Sequence, residues 1–175
     1  MQRTIRSVLD AIYFTSGVAA ALCLIAILCL IVLQMLARWT GEVFPGAPEY
    51  AGYAMAAASF LAFAHALNRG AHIRVSLLLN SVPARVRRWI DFWCFAIGTA
   101  LAWYFVYFAS RFVFWSWKFN DISQGQDATL MWLPQSAVLI GAFIFALALT
   151  DNTLSILTDG KSRMQDNVIE QSHGE

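Results

Sequence analysis

Followed residue by residue, the chain breaks into long uncharged blocks separated by short polar ones. No Asp, Glu, Lys or Arg occurs from Ala11 to Ala37, Tyr50 to Asn68, Phe92 to Ser110 or Ala128 to Thr150. About 20 helical residues cross ~30 Å of hydrocarbon, so with their flanks the blocks predict four transmembrane helices over about 11–37, 49–69, 89–117 and 131–157. A different pattern lies between the second and third: Val75, Leu78, Leu79 and Val82 fall at i, i+3, i+4 and i+7, with Ser76 and Asn80 opposite. That spacing predicts a short arm helix, about 72–82, lying on the membrane surface, although Ile73 and Leu77 interrupt its polar side.

The fold expected is therefore an all-α integral membrane protein, one membrane domain over 1–158 followed by a polar tail, 159–175, of mixed charge and predicted disorder. Composition agrees. The 59% apolar content and mean hydropathy of +0.57 exceed the roughly 45–50% apolar content of soluble domains. Arg3 and Arg6 precede the first block as in a secretory signal, but the block is longer than the roughly 7–15 apolar residues such signals carry. An uncleaved first helix is expected.

Charge sets the orientation. Arg3 and Arg6 precede the first span, Arg69, Arg74, Arg85, Arg87 and Arg88 separate the second from the third, and Lys161 and Arg163 follow the fourth. An excess of Lys and Arg in short loops marks the cytoplasmic side, so both termini are expected inside. Arg38–Glu49 and Trp117–Asp127 each hold one basic and two acidic residues and are expected outside. Trp39, Trp89, Trp115, Trp117 and Trp132 cluster at predicted span ends, where indoles prefer the headgroup level. Pro83 fits a break or a helix start, and Arg85, Arg87 and Arg88 beside Trp89 fit an anchor that snorkels to anionic headgroups. Topology accounts for these arginines without nucleic acid.

Chemistry within the spans is sparse. An intramembrane charge is costly and by default a functional hypothesis, yet only His65, Arg111 and Asp151 qualify, while Glu49 and Asp91 sit at span boundaries. An ion-coupled carrier needs ligands near the midplane, and the span middles hold almost none, so no substrate, metal or catalytic residue is expected. Cys23, Cys29 and Cys94 lie inside spans without a Cys-x-x-Cys pair and read as small apolar residues. His65 reads as an interhelical hydrogen-bonding group; haem ligation would need a partner at facing depth, and His72 and His173 lie in a loop and the tail. No cofactor is expected. Span two repeats Ala54, Ala58, Ala62 and Ala66 at every fourth position, with Gly52 and Ala56 as a second small pair. Such spacing lets helices approach closely in lipid.

Glu49 in PEYAGY, the stretch SFLAFAHALNRGAHIRVSLLL and the following VPARVRRWID, in that order among four spans, closely resemble the small membrane subunit, DctQ type, of tripartite ATP-independent periplasmic (TRAP) transporters. The resemblance runs from about Arg3 to Leu157 and is most diagnostic at Gly70-Ala71-His72-Ile73-Arg74-Val75 with Pro83 after it; Ser76 stands where the family often has an acidic residue. It implies a bacterial inner-membrane subunit that neither catalyses nor holds substrate. Its implied partners are a large DctM-type permease moving organic acids with sodium by an elevator motion, and a periplasmic DctP-type binding protein that delivers them. The small subunit would enlarge the static scaffold. Gly52, Ala54, Ala58, Ala62, His65 and Ala66 are then the candidate subunit-packing face; His72, Arg74, Val75, Leu78, Leu79, Arg85, Arg87, Arg88 and Trp89 are the candidate arm and membrane anchor, with lipid as a further partner. Glu42, Asp121 and Asp127 are outward acids available to a basic partner. Two other classes fit less well: a four-helix proton-coupled exporter working as a homodimer resembles carriers with a glutamate mid-span one, where this chain has no charge between Asp10 and Arg38, and a membrane redox subunit lacks suitably placed Cys and His.

Overall fold

A computed structural model of the protein describes residues 2–42, 44–69 and 83–159, with side chains omitted at 2–7, 84, 85, 87, 158 and 159. Four helices follow in order: α1 (Gln2–Thr40), α2 (Ala47–Asn68), α3 (Ala84–Phe119) and α4 (Trp132–Asp159). All four are long and apolar enough to cross a membrane. The arm expected over 72–82, with His72, Arg74, Val75, Leu78 and Leu79, and the tail from 160 lie outside the described residues.

The helices overrun the uncharged blocks because charged flanks continue a helix once it has started. α1 reaches back through Asp10 to Gln2, and α3 starts at Ala84, ahead of Arg85, Arg87 and Arg88. At 39 and 36 residues they measure about 58 and 54 Å at ~1.5 Å per residue, against about 33 Å for the 22 residues of α2. Pro83 sits just before α3, at φ −53° and ψ 142°, where its missing N–H costs nothing.

The ends of the long helices are built by backbone geometry. Gly41 takes φ 80°, and Glu42 N–H donates to Ala37 C=O at 2.9 Å while Gly41 N–H reaches Arg38 C=O at 3.4 Å. Asn120 repeats the device after α3 at φ 50°, with Asp121 N–H on Ser116 C=O at 3.0 Å and Asn120 N–H on Trp117 C=O at 3.3 Å. A left-handed residue after the last turn satisfies carbonyls that the helix leaves open, and Gly and Asn are the residues that adopt it most readily.

α1 packs on α2, α3 on α4, and α2 on α4. α1 and α2 are antiparallel neighbours, as are α3 and α4, which leaves the two turns at one end, here the hairpin end, and residue 83, Arg69 and the close of α4 at the other, the terminal end. Tyr13, Ala64, Leu67, Phe95, Ala148 and Ile156 form one buried cluster drawing on every helix, and Val106, Ala142 and Ala146 form a second nearer the hairpin end. α1 shows a single inner stripe, Tyr13, Ser16, Ala20, Cys23, Ile27, Leu30, Gln34 and Ala37, at three- and four-residue spacing, and exposes most of the rest. Leu22, Leu28 and Met35 on α1 and Tyr104, Phe112 and Trp117 on α3 are all more than half exposed. In lipid that exposure carries no hydrophobic penalty.

Candidate interaction surfaces

Two glycines set the closest helix approaches. A methyl group on Gly17 would stand 2.7 Å from the His65 ring, and one on Gly141 would stand 2.7 Å from the Phe60 carbonyl carbon and 2.8 Å from the Leu61 nitrogen. The second contact is against backbone and cannot be relieved by turning a side chain. Ala57 and Ala64, seven residues apart on α2, are buried on the same side as Phe60 and Leu61, and Ala64 shares a cluster with Ala148 of α4.

His65 is half-buried against α1, its Nδ1 3.2 Å from the Tyr13 carbonyl and its ring beside Phe14. Nδ1 must carry a proton for this bond to form, which fixes the tautomer of the neutral ring. Of the remaining residues in the candidate face on span two, Ala58 is buried within the chain, Ala54, Ala62 and Ala66 are half-buried, and Gly52 stands in open space. Ala56 and Ser59 are exposed beside Gly52. The row of four alanines is thus partly occupied internally, and the outward strip of α2 runs through Gly52, Ala56 and Ser59.

The α3–α4 seam is held by hydroxyls. Thr99 and Thr153 meet at 2.9 Å, and Trp103 Nε1–H donates to Thr150 Oγ1 at 3.0 Å, while both α4 threonines also donate to carbonyls one turn back. Such interhelical bonds average about 0.6 kcal/mol in a bilayer. Near the terminal end the Arg88 guanidinium donates to the carbonyls of Ile156 at 3.1 Å and Leu157 at 3.4 Å. These belong to the last turn of α4, whose carbonyls have no helical partners and carry the negative end of its dipole. Arg88 therefore has a structural partner inside the chain, while the Arg85 and Arg87 side chains lie outside the described residues.

At the hairpin end the α3–α4 connection, expected from its charge to lie outside, is a small built cap. Ile122 and Leu130 pair in an antiparallel bridge, Ser123 N–H donates to Thr129 C=O at 2.8 Å, and Met131 N–H donates to Asp121 C=O at 2.9 Å. Tyr53 of α2 reaches into it, its hydroxyl 2.9 Å from Ser123 Oγ and 3.1 Å from Asp127 Oδ2. One phenolic proton serves one acceptor, so the consistent assignment has Tyr53 donating to the carboxylate and Ser123 donating to Tyr53. Gly125 N–H donates to Ser123 Oγ at 3.1 Å and completes the chain. Thr129 Oγ1 lies 3.3 Å from the Tyr50 hydroxyl. Asp127 is held below the ordinary aspartate range, first by the Thr129 hydroxyl, with the Tyr53 hydroxyl and its own backbone N–H adding to this, against the opposing effect of partial burial.

This corrects the reading of Asp127 as an outward acid free for a partner: it anchors the cap to α2. Glu42 and Asp121 remain exposed. Gly46, before α2, is fixed twice over, by φ 80° and by Asp127 Cβ, 2.9 Å from where its own Cβ would stand. Sequence reasoning missed Tyr53, Gly46, Gly17 and Gly141. Each acts through a partner more than 40 positions away, and no local pattern reports that.

Among the described residues no three His, Cys, Asp or Glu side chains converge as a metal site would require. Several polar side chains within the spans, His65, Thr99, Thr150 and Thr153 among them, are engaged in helix packing, and what the bundle offers its surroundings is surface. The sequence profile described as tripartite ATP-independent periplasmic transporters, DctQ component, matches residues 27–159. The chain belongs to the DctQ family. A comparison with curated proteins finds no match. DctQ proteins are transporter components and not enzymes, and they work in tripartite systems alongside DctM and DctP components. The chain is accordingly a multi-pass protein of the inner membrane, the small component of a TRAP transporter.

Proposed function

We propose that this DctQ subunit is the static scaffold of a sodium-coupled, binding-protein-dependent importer of organic acids such as C4-dicarboxylates or sialic acid. It would hold a large elevator-type permease in place without touching substrate. The observation that carries the reading is the family match over 27–159. A bundle whose interior polar groups serve packing, and whose long helices present apolar flanks, supports it.

On this reading the hairpin end faces the periplasm, where exposed Glu42 is available to the binding protein, and both termini are cytoplasmic. The arm over 72–82 lies along the inner leaflet with His72, Arg74, Val75, Leu78 and Leu79, and Arg85, Arg87 and Trp89 extend that anchor. The permease would meet α2 along Gly52, with Ala54, Ala62, Ala66 and His65 bordering the contact and Ala58 supporting it from behind. A methyl group on Gly52 would meet nothing within 4 Å, so Gly52→Leu leaves the chain's own packing intact. Co-expression with the cognate permease is the test: wild type should purify as a complex, and Gly52→Leu should reduce recovered permease about tenfold, the loss expected for ~1.4 kcal/mol. Recovery of a monodisperse permease that never retains this subunit would overturn the scaffold role.

A further inference from the structure

We infer that the hairpin end of the bundle binds one membrane phospholipid with an amine-bearing headgroup, its acyl chain in a groove between α2, α3 and α4 and its headgroup in the adjoining pocket beneath the α3–α4 cap.

The groove encloses about 540 Å³ and is walled by Ala56, Phe105, Ala109, Phe112, Pro134 and Val138, among others. The pocket above it, about 550 Å³, is walled by Ser116, Asp121, Ser123, Gln124, Gly125 and Gln135, with Phe112 closing one side. Tyr53, Phe112, Met131 and Gln135 line both, so the two adjoin and together make an amphipathic cleft. Its apolar part lies within spans that cross the membrane, where the surrounding solvent is lipid. Along α3 it extends from Phe105 to Ser116, about 16 Å at ~1.5 Å per residue, or roughly one leaflet of a ~30 Å core. That is the length and polarity profile of a single acyl chain entering from the headgroup level.

Charge selects among lipids. Sites for anionic lipids gather Lys and Arg, and neither lining contains one; the pocket instead contributes the Asp121 carboxylate. Asp121 is exposed at the pocket, and an ammonium group is its complement. Gln135 stands at the junction, and its carboxamide oxygen, buried and without a hydrogen-bond partner, meets such a headgroup once the side chain turns toward the pocket. A helix of another subunit would fill the apolar part and would need a basic side chain at its end to meet the Asp121 carboxylate.

Two measurements on the full chain decide it. With p-benzoylphenylalanine in place of Val138 in bacterial membranes, illumination should add the mass of an intact phosphatidylethanolamine; an adduct with a second polypeptide in its place would overturn the proposal. In nanodiscs of equal 1-palmitoyl-2-oleoyl phosphatidylethanolamine and phosphatidylglycerol, native mass spectrometry should show retained phosphatidylethanolamine in about tenfold excess, the factor for one charge-assisted hydrogen bond. Asp121→Asn should bring the two lipids to parity, and Ala109→Trp and Val138→Trp should each strip bound lipid, while Leu101→Trp, an exposed position outside the groove, should not. Equal retention by wild type and both groove variants, or a preference for phosphatidylglycerol, would contradict it.

Discussion

Gly141 and Asp127 show how single residues hold this bundle. A methyl on Gly141 meets the α2 backbone at Phe60 and Leu61, so the helices must separate to admit it. Gly141→Ala should destabilise the protein by about 1–3 kcal/mol, the range for overpacking, and its thermal midpoint in detergent should fall while Gly52→Ala, in open space, leaves it unchanged. Asp127 makes a pH prediction. The folded state favours its carboxylate, so its contribution is fully present above the ordinary aspartate range near pH 4 and is lost as pH falls through the depressed value. Hydrogen exchange of residues 121–131 should accelerate on acidification in the wild type, and Asp127→Asn should exchange fast at neutral pH with little further change.

Among elements, α2 joins the two hairpins, since α1 packs against it on one side and α4, which carries α3, on the other. Its existence and limits were legible in the sequence: the uncharged block from Tyr50 to Asn68 and the acidic Glu49 before it fall inside Ala47–Asn68. Its packing was less so. A four-residue alanine repeat is visible in the chain, but Ala57 and Ala64, outside that repeat, are the ones buried with Ala58. Which small residues lie inward depends on where Gly141 and Ala148 arrive, and that is tertiary information. The built form of the α3–α4 connection was illegible for a related reason, because nothing near Ser123 and Asp127 in the sequence announces that Tyr53 is brought among them. At the α3–α4 seam, a double-mutant cycle on Thr99→Val and Thr153→Val should give a coupling of about 0.6 kcal/mol. A coupling indistinguishable from zero in folded variants would show that the hydroxyl pair only fills space.

For the whole molecule, the division of polar and apolar surface fits the proposed scaffold role. Interior hydroxyls, His65 and Arg88 close helix to helix, and the outer faces of α1 and α3 are largely apolar surface, suited to lipid and to a larger membrane partner. The sparse ionisable content of the spans made this division legible from the sequence, since a carrier working alone would concentrate ligands at the midplane. The scaffold role is tested most directly by uptake into proteoliposomes. With the permease, the binding protein and an inward sodium gradient present, organic acid should accumulate when this subunit is included. Accumulation should cease when the subunit is omitted, and the subunit alone should carry nothing. Sodium-driven uptake by this chain without the permease, or full uptake without this chain, would contradict the account.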